Sequence, residues 1–459
     1  MKSMDSSFES FPSALMPIYR NEQSNQPIQL YQGELEITQQ KTVIKGNGSV
    51  FFEWLPSPKV KFDFLPYTES PLELELEQAN LKLSDSTLTK VSICSEDISE
   101  DILSSRFSGI PKKGIILGDG QDLSYVIFHL TNFHPFLGSC ISAKSLGVKH
   151  IYTGRLQMEA YGWTVTIDSL PNIDDIIKTI KSQRGYAITH VGKLERADKS
   201  AFPSDDANKF LEGLSYFLSF SRGFWIAPLL QVGHNIKDEK VWEKWKSYKL
   251  SPWRKDIESW FSDDANGENI SRAFPGFWHC WNNDTWKEPI RLAIHWYMES
   301  NAQAGAIQGS IVLQQAAFEL LSWVLLVEDR KIISPGSFNE RKVSAAEKLR
   351  KLFSEIGIPS KIPENFQELG EFSKEEGLNW EDGPHALTEI RNSIVHAGHP
   401  KKRNKISKLP SLGKSQAWKL GLWYLELVLL YLFDYEGDYF SRVTEKEESV
   451  PWTKNRLQA

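Results

Sequence analysis

The hydrophobic period of this chain changes near its middle, from about two residues to about 3.6. Up to about His190, apolar and polar residues alternate, as in "QLYQGELEIT", "SVFFEWLP", "LELELEQANLKL", "SYVIFHLTNF" and "GWTVTIDSL". Alternation of this kind sends successive side chains to opposite faces of a strand. Beyond Asp284 the apolar residues recur at spacings of three and four, which line one face of a helix. A chain that changes period once must build two kinds of core, and 459 residues with 41% hydrophobic content suffice for both. The expected fold is therefore α+β and multidomain: an N-terminal antiparallel β-rich domain, sandwich or open barrel, followed by a C-terminal all-α helical bundle.

Residues 1–26 are rich in Ser, Asn and Gln and read as a flexible N-terminal arm. The β-rich domain is expected over 27–200, with Gly46-Asn47-Gly48 and Gly118-Asp119-Gly120 read as punctuation between strands. Region 201–284 reads as a mixed α/β connector. In it Ser204 after Pro203 caps a helix through about Ser221, "GFWIAPLLQVG" is strand-like, and a Trp-rich stretch runs from Trp242 to Trp286. The bundle covers 285–459, with helices expected over about 286–303, 310–330, 339–356, 382–397 and 414–435.

The N-terminus lacks the apolar run of a signal peptide, and the segment Leu420 to Phe433 is too short to span a bilayer and carries Glu426. Cys94, Cys140 and Cys280 are scattered without paired spacing, which suggests free thiols in a reducing compartment and no zinc site. A cytoplasmic protein without membrane or metal is expected.

A net charge of -6 does not look like a general nucleic-acid coat, yet it hides a local imbalance. Between Ile390 and Leu425 there is no acidic residue, while Arg391, Lys401, Lys402, Arg403, Lys405, Lys408, Lys414 and Lys419 all fall there. Such a single-sign run is the footprint expected for a polyanion such as RNA. It follows the stretch "EIRNSIVHAGHP", Glu389 to Pro400, at the end of a helical pattern. On a helical wheel Ala386, Leu387, Ile390, Ile394 and Ala397 make the core stripe, and Glu389, Asn392 and His396 share a polar one. Arg391 and His396 point roughly 140° apart on a continuous helix. Either the helix ends at His396, ahead of Gly398 and Pro400, or a second protomer supplies the complementary group. An earlier helix, "SIVLQQAAFELLSWVLLV", carries Gln315, Glu319 and Ser322 as a polar seam on an apolar cylinder, and the Arg/His helix is a candidate partner for it.

"RNSIVH", an arginine, a polar residue, three more and a histidine near a helix end, resembles the Arg-x(4-6)-His motif of the HEPN superfamily, whose members are helical bundles and often metal-independent ribonucleases. The resemblance covers about residues 285–440. A β-rich half followed by such a bundle is similar to bacterial ApeA-type abortive-infection proteins. Carried over, Arg391 and His396 match the two defining positions, Asn392 the polar second position, and Glu319 the acidic residue of an earlier helix. Family members typically dimerise with two motifs facing across a groove, which implies a homodimer here. Two further matches to the loose pattern, Arg184 to His190 and Arg272 to His279, lie in strand-like sequence and across a Pro-Gly pair.

These residue types suit RNA cleavage through the substrate's own 2'-OH. His396 would move the proton, since imidazole accepts and donates near neutral pH, and Arg391 would stabilise charge on the phosphoryl oxygens. Asn392 would orient the imidazole or bond a phosphate oxygen, Glu319 would fix Arg391, and Lys401, Lys402, Arg403 and Lys405 would hold the RNA. No cofactor is expected. The first expectation is an antiphage endoribonuclease restrained by its β-rich half, where a phage-derived or cellular activator would act. The alternatives are a catalytically silent HEPN module binding nucleotide, RNA or protein, and the toxin of a toxin-antitoxin pair. His279 and Cys280 in "FWHCW" read as core packing.

Overall fold

The computed structural model describes residues 11–67, 78–83, 88–98, 105–145, 148–263, 265–303, 305–340, 342–375, 378–396, 400, 404 and 406–456. They form a β-rich N-terminal part followed by a helical bundle, in two compact units: Met1–Ser215 with Ile226–Lys255, and Tyr216–Trp225 with Asp256–Ala459. The region expected as a connector, 201–284, is divided between them.

In the first unit six antiparallel strands close a barrel: β1 (Ile28–Gln39), β2 (Thr42–Glu53), β3 (Lys59–Pro66), β4 (Ala79–Leu83), β5 (Thr89–Ile98) and β6 (Ser105–Pro111), in the order β1-β2-β3-β6-β5-β4 with β4 returning to β1. Closure leaves no unpaired edge, and the alternating residues Leu35, Ile37, Val50, Phe52, Phe62 and Phe64 fill the interior. Gly46 and Gly48 are not a turn. Both lie inside β2, where a side chain would run into the backbone carbonyls of Leu65 and Asp63 on β3, and the chain reverses instead at Gln40, whose φ is 53°.

An eight-stranded sheet follows, built from β7 (Ile115–Gly118), β8 (Tyr125–Thr131), β9 (Ser139–Ser145), β10 (Val148–Ala160), β11 (Trp163–Ser169), β12 (Ile188–Arg196), β13 (Leu229–His234) and β14 (Lys240–Trp245). Its order is β7-β14-β13-β8-β12-β11-β10-β9, again antiparallel throughout. Helix α1 (Ile173–Gln183) links β11 to β12 and buries Ile177 and Ile180, a three-residue spacing too brief to stand out in the sequence. Helix α2 (Ser204–Arg222) starts where Ser204 predicts.

The expected flexible arm is corrected for its second half, because residues 11–26 are tied down by polar groups. Ser142 N–H donates to the Pro12 carbonyl, and Leu15 N–H donates to Asp168, which Arg155 grips through two hydrogen bonds. The Ile18 and Tyr19 N–H groups both donate to His129 Nε2 at 3.1 Å, and the Tyr19 hydroxyl donates to Glu243. Asn25 bonds the backbone at Arg184 and Tyr186, and the buried Trp54 indole donates to the Gln26 carbonyl.

The second unit contains α3 (Glu268–Trp281), α4 (Lys287–Asn301), α5 (Ala306–Trp323), α6 (Pro335–Phe338), α7 (Ala345–Ile356), α8 (Gln367–Phe372), α9 (Gly383–Val395), α10 (Ser411–Leu432) and α11 (Pro451–Arg456). Between α10 and α11 lies a hairpin absent from the all-helical expectation, β15 (Asp438–Ser441) paired with β16 (Lys446–Ser449). Helix α5 runs on as a π-helical segment, Val324–Asp329. Together they make the one helix among the described residues long and apolar enough to cross a membrane, but 67% of its most apolar stretch is buried within the structure, as in a core helix.

The Pro275-Gly276 pair, read as an interruption, sits inside α3. Proline normally costs a helix interior its hydrogen bond, and here the burial of Phe274, Phe277, Trp278 and Trp281 offsets that cost. Gly276 lets the Phe433 carbonyl come against the helix, and an added methyl would overlap that oxygen. Gly276→Ala is accordingly expected to destabilise the protein by about 1–3 kcal/mol, read as a lower urea midpoint. An unchanged midpoint would mean that the end of α10 yields freely.

Candidate functional site

The site residues ride on α9, whose start is fixed from several sides. The Asp382 carboxylate accepts from His385 N–H as an N-cap, and Arg350 of α7 donates to both of its oxygens at 2.6 and 3.1 Å. Gly383 N–H donates to the Ser360 carbonyl, to which the Tyr424 hydroxyl also donates. Ala386, Leu387 and Ile390 are buried, as the wheel predicts. Ile394, assigned to the same stripe, is 38% exposed, because α9 stops one residue later.

That stop shapes the site. Helical geometry ends at Val395, and His396 is extended, with φ −106° and ψ 105°, while its N–H still donates to the Asn392 carbonyl. The turn out of the helix brings the histidine back toward the arginine, so the angle expected on a continuous helix no longer holds. Arg391 Nη1 lies 3.4 Å from His396 Nε2 and donates to Asn392 Oδ1 at 3.2 Å. A guanidinium only donates, so the contact needs an Nε2 that carries its lone pair. Arg391 Nε is buried without a hydrogen-bond partner among the described residues. His396 itself is exposed. A partly buried cation, an amide and an exposed imidazole thus meet at one helix end, a set able to take a phosphate and move a proton.

Other expectations fare differently. Gln315 and Ser322 are buried, with Gln315 Nε2 and Ser322 Oγ unpartnered among the described residues, but Glu319 is exposed and makes no hydrogen bond or ion pair to Arg391. It lies about 40° around α5 from Gln315 and about 60° from Ser322, enough to reach solvent. Its assigned role of fixing Arg391 is therefore corrected. Lys401, Lys402, Arg403 and Lys405, together with Gly398 and His399, lie outside the described residues. Lys419 is engaged with Glu445 at 3.2 Å and Glu258 at 3.9 Å, so it is not a spare cation. Cys280 is buried with Sγ 3.2 Å from the Leu432 carbonyl, and burial pushes its thiol up to about 12. Arg272 and His279 do lie on a helix, α3, contrary to expectation, whereas Arg184 caps α1 and His190 belongs to β12. Among the described residues no three His, Cys, Asp or Glu side chains stand close enough to hold a metal ion.

Residues 118–256 match the family described as the YopA central domain, and residues 283–452 match the YopA C-terminal domain. The chain is similar to YopA over most of its length. The "SPbeta prophage-derived uncharacterized protein YopA" of Bacillus subtilis (strain 168) is 28% identical over 445 residues, covering 93% of this chain and 95% of that protein. No solved structure matches the chain. The YopA C-terminal match contains Arg391, Asn392 and His396 as well as the buried Glu426 and Arg442, and the central match contains His129 and His190.

Proposed function

We propose that the chain is a metal-independent endoribonuclease of HEPN type, with Arg391, Asn392 and His396 as its phosphate site. The observation that supports it best is the ending of α9, which draws Arg391 Nη1 to 3.4 Å from His396 Nε2. In this reading a phosphate enters between the two groups. His396 takes the proton from the substrate's 2'-OH, that oxygen bonds to the adjacent phosphorus, and the bond to the 5' oxygen breaks as that oxygen takes up a proton from solvent water, His396 later releasing its own proton to solvent. The products are a 2',3'-cyclic phosphate and a 5'-OH. Arg391 holds the charge that builds on the phosphoryl oxygens, and Asn392 keeps the guanidinium in place. Two apolar side chains beside the site, Ile394 and Val395, are 38% and 41% exposed, and a second copy would cover them in a homodimer. The likeness to a prophage-derived protein fits a cytoplasmic role in conflict between phage and host, with the β-rich part as regulator.

The test is cleavage of total RNA by purified protein in EDTA. The wild type is expected to leave 2',3'-cyclic phosphate ends, and His396→Ala to lose on the order of 10²-fold or more in rate while keeping its fold. Arg391→Ala should lose a comparable amount. Equal cleavage by wild type and His396→Ala removes the histidine from the mechanism. If no protein cleaves but Arg391→Ala weakens binding of single-stranded RNA, the site is a silent binding module instead.

A further inference from the structure

A cleft away from α9's end lies in the helical unit. It measures about 430 Å³ and is lined by Gly357, Ile358 and Pro359 after α7, Trp423 of α10, and Tyr439, Glu448, Ser449 and Pro451 around the β15-β16 hairpin. Its volume is within the range of small-molecule sites.

The polar groups in its wall form a directed chain. The Trp423 indole N–H donates to the Tyr439 hydroxyl at 2.9 Å, and that hydroxyl donates to Glu448 Oε1 at 2.8 Å. Among the described residues Oε2 receives only the Thr444 hydroxyl, at 3.5 Å. Trp423 and Tyr439 are buried and hydrogen-bonded to each other, so the carboxylate is aimed by groups packed into the core. Among the described residues no Lys, Arg or His forms an ion pair with Glu448. Two cations of the same unit are engaged elsewhere: Lys419 with Glu445, and Arg442 with Glu426. The cleft also borders the C-terminal end of α7, where Gly357 is left-handed with φ 75°. A helix C-terminus carries partial negative charge and favours a cation.

We infer that this cleft binds an organic cation, a guanidinium or ammonium head on an apolar stem. Glu448 takes the head with the oxygen that Tyr439 leaves free. Ile358, Pro359 and Pro451 cover the stem. An anion is excluded by the carboxylate, and an uncharged apolar ligand would leave that carboxylate desolvated and unpaired. The inference is independent of the proposed nuclease site.

Titration calorimetry on the full chain tests it with three probes: N-acetyl-arginine methylamide, agmatine, and N-acetyl-citrulline methylamide as a neutral isostere. Wild type should bind the arginine probe at least tenfold more tightly than the citrulline probe. Glu448→Gln should abolish that preference without changing the far-UV circular dichroism. Preference for the peptide-like arginine probe over agmatine would assign the site to a side chain of a protein partner, and the reverse to a free amine. The comparison of arginine and citrulline uses wild type alone, so it stands even if the variant misfolds. Equal binding of arginine and citrulline probes, no binding of either cation, or an unchanged preference in Glu448→Gln overturns the inference.

Discussion

Glu426→Ala is expected to cost the helical unit about 3–5 kcal/mol, a large share of the stability of an ordinary domain. Glu426 on α10 and Arg442 after β15 are fully buried, at 0% and 1% exposure. Arg442 Nε donates to Glu426 Oε1 and Oε2 at 3.0 and 2.9 Å, and Nη2 donates to Oε1 at 2.8 Å. The same Nη2 reaches the Glu258 carbonyl, the Asn301 side chain and the Tyr297 hydroxyl, and Tyr297 in turn donates to Glu426. Asn301 closes the network by donating to the Gly223 and Glu258 carbonyls at 2.8 Å. Removing the carboxylate strands a fully buried guanidinium, so the loss reflects an uncompensated charge more than a missing attraction. The double variant Glu426→Leu/Arg442→Met should therefore recover much of what either single change loses, as seen in denaturant midpoints. A loss under about 1 kcal/mol in Glu426→Ala, or a double variant no better than the singles, would contradict this account.

The sequence reveals this pair only faintly. Glu426 interrupts an otherwise Leu-, Trp- and Tyr-rich helix, which marks it as a buried charge, but its partner lies in a hairpin that no helical period predicts. The same division runs through the molecule. Strand and helix periods are local, so the β-rich and helical parts and five of the longer helices are legible directly, whereas α3, with Pro275-Gly276 inside it, is not. Barrel closure depends on β4 pairing with β1, and the strap at residues 11–26 depends on anchors more than 100 residues away at His129 and Asp168. Gly46, Gly48 and Gly276 look like breaks in the sequence because their role is to admit a neighbouring backbone, which only the packed chain supplies. At the candidate site the helix stop is a local signal, and with it the meeting of Arg391 and His396. Glu319 was not legible, because a turn of 40° on α5 decides between core and solvent.

Acid should open the N-terminal unit well before its carboxylates are fully protonated. His129 and His190 are completely buried on β8 and β12, and burial lowers them from about 6.5 to about 4 and about 3, with His134 adding to the effect at His190. His129 Nδ1 lies 3.4 Å from the Leu229 carbonyl and Nε2 accepts the two strap N–H groups, so a second ring proton would point at donors. His190 stacks on Phe136 with its Nε2 unpartnered among the described residues. Because the folded values are depressed, the unfolded chain binds more protons between pH 6.5 and 4. The contribution is complete above about pH 6.5 and lost as pH falls through that window, by about 2 kcal/mol per histidine at pH 5. A chain of two units need not unfold in one step, so the readout is hydrogen exchange of the β8 and β12 amides at pH 7 and pH 5, corrected for intrinsic rates. Protection there should fall by more than a hundredfold in the wild type. His190→Phe, which keeps the aromatic stack and removes the proton site, should halve the effect on a logarithmic scale. Protection that stays constant across the window, or a variant with the wild-type slope, would show that these imidazoles are not what acid attacks.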